Sequence, residues 1–141
     1  MKYLLDTCAI SEPIRKKPDP GLMAWLKRQH ASNLFLSVLT LGELHKGVNK
    51  LNNDIPKKSV LYQWISQDLY NRFEGRIIDF DSDSAATWGQ LLGENEKKGR
   101  IIPVVDAMIA ATALVYDLII VTRNDKDIKY CNVAVENPWH T

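Results

Sequence analysis

Short apolar runs that end abruptly in a polar or acidic residue recur along the chain and alternate with stretches of helical period. Tyr3-Leu4-Leu5 runs into Asp6-Thr7, Leu34-Phe35-Leu36 into Ser37, Ile77-Ile78 into Asp79, and Leu118-Ile119-Ile120-Val121 into Thr122. Runs of this length, bounded by polar residues, predict buried strands. Val133-Ala134-Val135 predicts a further short strand at an edge, before Asn137-Pro138-Trp139 closes the pattern.

The intervening segments predict helices. Residues 7–14 read as a short helix broken near Pro13 and Pro18, and Asp19-Pro20 as the cap and first turn of a peripheral helix bearing Leu22, Trp25 and Leu26. Thr40-Leu41-Gly42-Glu43 has the form of a capping box, opening a helix that continues through Leu44 and Val48. Val60, Leu61, Trp64, Ile65, Leu69 and Phe73 make the apolar stripe of the next helix, and the two together predict a projecting helical hairpin. Asp83 reads as the cap of a helix carrying Ala86, Leu91 and Leu92, which Gly99 ends. Residues 107–114 are apolar nearly all round and rich in alanine, which predicts a buried helix lying close to a sheet.

Strands alternating with helices predict an α/β fold with a mainly parallel central sheet flanked by helices, in a single domain over residues 1–141. In such a sheet the strand C-termini and helix N-termini share one edge, where ligands bind. Asp6, Glu43, Asp106 and the Asp125/Asp127 pair should therefore face one crevice. Each also has a plainer reading: Asp6 as a helix cap, Glu43 as the capping-box partner of Thr40, Asp106 as an acid favoured by a helix dipole. What outweighs those readings is recurrence at equivalent places.

Composition narrows the class. Hydrophobic residues at 45% and charged residues at 25% exclude disordered and fibrous chains. No run of about 18 apolar residues occurs, so no membrane association and a cytoplasmic location are expected. Cys8 and Cys131 form no CxxC and read as buried free thiols. Residues 1–60 hold ten Lys and Arg against five Asp and Glu, whereas residues 61–141 hold eight against twelve. That asymmetry permits a polyanionic partner, with Lys46 and Lys50 near Glu43 as guides for its phosphates.

Clustered acids need a cation. Two carboxylates about 4 Å apart repel by roughly 4 kcal/mol at an effective dielectric near 20. A hard, oxygen-preferring ion, Mg²⁺ or Mn²⁺, fits them, whereas His30, His45 and His140 show no pair at zinc-ligand spacing. Such an ion can activate water and neutralise phosphate charge, so metal-dependent hydrolysis of nucleic acid is the favoured chemistry. Asp79-Phe80-Asp81 offers an alternative, an aspartyl-phosphate phosphatase with Asp79 as nucleophile and Asp81 as acid.

Taken together, Leu4-Leu5-Asp6-Thr7, the stretch from Ser37 to Leu44, Asp106-Ala107-Met108-Ile109-Ala110-Ala111, Val121-Thr122-Arg123-Asn124 with Asp127, and Asn137-Pro138-Trp139 resemble a PIN domain. More narrowly the chain resembles the VapC-type toxin ribonucleases of bacterial toxin–antitoxin modules. The resemblance implies a Mg²⁺-dependent endoribonuclease acting on structured RNA such as tRNA. It also implies a homodimer neutralised by a cognate antitoxin, with operator DNA bound only through the antitoxin. By the same resemblance Asp6 and Asp106 are the principal metal ligands, Glu43 a third acid acting through water, and Thr7 and Thr122 supporting hydroxyls. Asn124 stands where many PIN domains have Asp, and Asp127 rather than Asp125 becomes the expected fourth acid. A PIN-like scaffold that binds RNA or protein without cutting is the opposing reading.

Overall fold

The computed structural model describes residues 1–139. His140, one of the three histidines weighed as zinc ligands, lies outside the described residues, as does Thr141. Five strands, β1 (Tyr3–Leu5), β2 (Leu34–Ser37), β3 (Ile77–Ile78), β4 (Ile119–Val121) and β5 (Val135–Glu136), form one sheet in the order β3-β2-β1-β4-β5. Every pairing is parallel, with Tyr3 opposite both Leu34 and Ile119 and Leu5 opposite Val121. The chain moves outward from β1 through β2 to β3 and then crosses to the other side of β1. That reversal opens a crevice between β1 and β4 at the carboxyl edge of the sheet.

Strand alternation sends Tyr3 and Leu5 to one face and Leu4 to the other, and each face is covered by its own core. On the first, Leu22 and Trp25 of α2 (Pro20–Arg28), Leu41 and Leu44 of α3 (Val38–Asn49), and Ile65, Leu69 and Phe73 pack over Leu36. On the second, α6 (Ser82–Lys97) packs along α7 (Val104–Tyr116), whose Ala107, Ala110 and Ala111 are fully buried. Small residues there let the helix backbone approach the sheet, as its composition predicts. Gly75 and Gly99 adopt φ of 78° and 74°, the left-handed turn that ends the preceding helices.

Three caps and boundaries differ from the sequence reading. The segment 7–14 divides into α1 (Thr7–Ser11) and a tighter turn, Glu12–Ile14. The helix after β2 starts straight from the strand: Ser37 Oγ accepts from the Leu39 N–H at 3.0 Å, so Ser37 is the cap. Thr40 lies within the first turn, buried, and no capping box forms. Similarly Asp81, not Asp83, caps α6, its Oδ1 accepting from the Ser84 N–H at 2.9 Å. The other Asp81 oxygen accepts from the Tyr116 hydroxyl, so both are committed and the phosphatase reading loses its acid. Asp79 is exposed beyond β3, at the outer edge of the sheet.

The hairpin is anchored more deeply than its amphipathic stripe suggested. Residues 57–72 form one continuous rod made of α4 (Lys57–Gln63), a π-helical turn (Trp64–Asp68) and α5 (Leu69–Arg72). The spacing of four between Ile65, Leu69 and Phe73 suits this wider turn, which keeps all three facing the core. The first part stands clearest, leaving Val60 and Tyr62 exposed, and Tyr70 of α5 is exposed as well.

A candidate active site at the carboxyl edge of the sheet

The strand that buries Leu4 and Leu5 must deliver the next residue to the crevice, and that residue is Asp6. Its backbone N–H donates to Val121 O at 3.2 Å, which extends the β1–β4 pairing by one step. Its Oδ1 accepts from the Ala9 N–H at 2.8 Å and so caps α1. The cap and the functional reading are thus compatible, because capping occupies one side of one oxygen. Burial pushes the Asp6 carboxyl above its ordinary range; the Thr122 hydroxyl and the Ala9 and Cys8 N–H groups oppose that, and Glu43 adds to it.

Glu43 is free of any capping duty. Instead the Thr7 hydroxyl donates to Glu43 Oε1 at 2.7 Å, joining residues that lie 36 positions apart. The helix that begins three residues earlier than its sequence suggests turns Glu43 inward from its second turn.

Asp106 occupies the first turn of α7, where the helix dipole favours an anion. Burial nevertheless raises its carboxyl, and Asp127, Glu43 and Asp6 add to the effect in that order. Asp127 is therefore within electrostatic reach of Asp106. It is half-buried and accepts from Asn124 Nδ2 at 3.2 Å, whereas Asp125 is exposed and its backbone carbonyl closes the turn to Ile128 and Lys129. Thr122 Oγ1 accepts from the Asn124 N–H at 3.0 Å, which fixes the start of this loop.

Asp6, Thr7, Glu43, Asp106, Thr122 and Asn124 line one cavity of ≈ 140 Å³, with Ile109, Ile120 and Ile128 among its apolar walls. Asp127 is not on the lining and reaches it through its hydrogen bond from Asn124. Among the described residues no three His, Cys, Asp or Glu side chains converge closely enough to chelate an ion unaided. The donor set is nonetheless almost all oxygen, with two raised carboxyls as its core. That fits a hard divalent ion which keeps part of its water shell and needs only one or two direct carboxylates.

The family model of the PIN domain matches residues 3–134. The chain belongs to the PIN-domain family. Toxin FitB of Neisseria gonorrhoeae is 39% identical over 137 residues, covering 97% of this chain and 98% of its own. The VapC ribonuclease Y4jK of Sinorhizobium fredii is 27% identical over 136 residues, 96% of each chain. The solved structure of VapBC2 from Rickettsia felis, bound to a DNA fragment from their promoter, aligns with a TM-score of 0.80 at 32% identity, covering 99% of this chain and 100% of that one.

Two features of this PIN domain escaped the sequence. Cys8, expected to be buried, is exposed at the cavity mouth; Cys131 is buried as expected. Glu12 is only 4% exposed and ties the front of the domain to its end. Its Oε1 accepts from Trp139 Nε1 and Arg15 Nη1, both at 3.3 Å, and its Oε2 from the Asp19 N–H at 3.1 Å. Burial would raise the Glu12 carboxyl, but these donors outweigh it and hold it below its ordinary range. A buried indole N–H requires an acceptor, so Trp139 was the available clue. No helix of the described residues is long and apolar enough to cross a membrane.

Proposed function

We propose that this PIN domain is a Mg²⁺-dependent endoribonuclease toxin, acting in the cytoplasm on structured RNA such as tRNA, with Mn²⁺ able to substitute. The observation that carries the reading is the Thr7–Glu43 hydrogen bond, which draws a third acid into a crevice already holding Asp6 and Asp106. Toxin and ribonuclease names among the relatives support it. A non-catalytic scaffold has no need to orient three carboxylates on one cavity.

Asp6 and Asp106 would hold the ion directly and Glu43 through water, with Asp127 steadying the far side of the site. Bound there, the ion supplies charge neutralisation at the phosphate and lowers the cost of ionising water. The chain does the positioning. Thr7 occupies Glu43 Oε1, which leaves Oε2 to accept a proton from the attacking water. Thr122 and Ala9 hold Asp6 in place, and three isoleucines form the apolar wall beside it. Thr7→Val is expected to lower Mg²⁺ affinity or turnover by about ten-fold with the melting temperature nearly unchanged, the usual cost of losing a group that orients a ligand. Isothermal titration with Mg²⁺ and cleavage kinetics would measure it.

The family likeness also supports a homodimer neutralised by a cognate antitoxin, which alone would contact operator DNA. The exposed Val60 and Tyr62 of the hairpin are the surface on which the antitoxin would dock. The enzymatic reading is tested by incubating purified chain with total cellular RNA in Mg²⁺ or Mn²⁺ and again with chelator. Discrete cuts that vanish with chelator are expected; intact RNA under every condition, from antitoxin-free folded protein, would return the scaffold reading. In the same assay Asp127→Asn should slow cleavage by about ten-fold or more, as the loss of a group supporting the ligands does, and Asp125→Asn should not.

A further inference from the structure

The acidic cavity poses a problem for any polyanionic substrate, because Asp6, Glu43, Asp106 and Asp127 together repel a phosphate backbone wherever the ion does not cover them. The surface beside it carries the opposite charge. A second, wider cleft of ≈ 570 Å³ is lined by Arg15, Lys17 and Arg123, with Glu12, Asp19 and Trp139 among its other walls. A shallow depression bounded by Thr7, Cys8, Arg15 and Arg123 links the two, sharing Thr7 and Cys8 with the acidic cavity.

Both acids of the basic cleft are engaged. Glu12 is buried and spends both oxygens on Trp139, Arg15 and the Asp19 N–H. Asp19 Oδ2 accepts from the Leu22 N–H as the cap of α2. The cations are presented outward: Lys17 and Arg123 are exposed, and the Arg15 side chain is 58% exposed while Glu12 holds one of its nitrogens. A guanidinium has five N–H donors in a fixed fork, so Arg15 is oriented at one end and free at the other. Arg123 follows Thr122 and precedes Asn124, both of which line the acidic cavity, so this one short loop faces both clefts.

We infer that the Arg15–Lys17–Arg123 cleft is a phosphate-binding subsite that holds the RNA strand beside the scissile bond. It rests on the ribonuclease reading and names the surface that reading lacks. A groove of cations tracking a single strand next to the catalytic pocket is how sequence-tolerant nucleic-acid binding is built. Lys46 and Lys50, the guides suggested by sequence, line neither cleft; Lys50 stands seven residues past Glu43, about 10 Å along the helix axis.

The test uses bulk tRNA and the variants Lys17→Gln/Arg123→Gln and, separately, Arg15→Gln, with Lys46→Gln/Lys50→Gln for comparison. For cleavage in Mg²⁺ by the otherwise native chain, the expected result is a KM raised about ten-fold for the Lys17/Arg123 pair with kcat within two-fold, a loss of binding shared by ground and transition states. In an Asp106→Asn background, where binding is read without cutting, the plot of log affinity against log salt should flatten by about 1.4 for two lost phosphate contacts on a single strand. Unchanged KM and an unchanged salt slope overturn the subsite while leaving the ribonuclease intact, including when antitoxin affinity falls instead. No cutting by the native chain and no tRNA binding by the Asp106→Asn protein overturn both. If Arg15→Gln lowers the melting temperature through its tie to Glu12, the exposed Lys17/Arg123 pair still decides the matter.

Discussion

Asp106→Asn should reduce RNA cleavage by about a thousand-fold or more, since a catalytic ion supplies several kcal/mol and each 1.4 kcal/mol is roughly a factor of ten. The same substitution should raise the melting temperature of the metal-free protein at neutral pH. The Asp106 carboxyl is raised by burial and then by Asp127, Glu43 and Asp6. A folded state that holds a proton more tightly than the unfolded chain has that group's contribution in full below the ordinary carboxylate range. The contribution is lost as pH rises through the raised value. Asn carries no charge to desolvate, so the variant escapes the loss, and added Mg²⁺ should stabilise it less than the native chain. Thermal melts at pH 4 and pH 7.5, with and without Mg²⁺, separate these expectations from simple unfolding. A variant that cuts RNA at the native rate would remove Asp106 from the site.

The second large effect concerns the rod that covers the sheet. Phe73 is 1% exposed at the end of the π-bulged helix, beneath the guanidinium groups of Arg72 and Arg76 at 5.2 and 4.9 Å from its ring. Arg76 in turn donates to the carbonyls of Ala31, Leu34 and Arg72, so the ring sits under a fixed lid at the β2–β3 end of the domain. Phe73→Ala is expected to cost about 3–5 kcal/mol, the usual range for removing a fully buried phenyl ring. That is a large share of a total stability of about 5–15 kcal/mol. Urea unfolding would show a lower midpoint at an unchanged slope. A loss below about 1 kcal/mol would mean that the neighbouring side chains collapse into the space, contrary to the close packing of such cores.

Much of this architecture was readable because its signals are local. A short apolar run bounded by polar residues and lying between helical stretches reads as a strand leaving the core. Leu114-Val115-Tyr116 before Asp117 belongs instead to the alanine-rich helix, because the helical period continues through it. Asp6, Asp106 and Thr122 inherit their positions from those runs, so they were found where expected. Glu43 was placed correctly for the wrong local reason. Thr40 and Glu43 have capping-box spacing, but Ser37, the last strand residue, reaches the Leu39 N–H first, and a helix needs only one start. Asp81 and Asp83 are equally good caps on paper; the end of β3 decides between them. The Glu12–Trp139 contact joins residues 127 apart, beyond any local pattern, and three donors make the burial of that charge tolerable. Cys8 failed for a related reason, because α1 is so short that its second residue lies on the rim of the crevice rather than under it.

The crevice draws on residues 6, 43, 106 and 122, and its floor exists only once β4 has paired with β1. Thr7–Glu43 and Ala9–Asp6 can pair without it, but the chain must extend past β4 before the set of carboxylates shares one crevice. A fragment ending before α7 lacks both Asp106 and Thr122, so no shorter piece of the fold carries the crevice by itself.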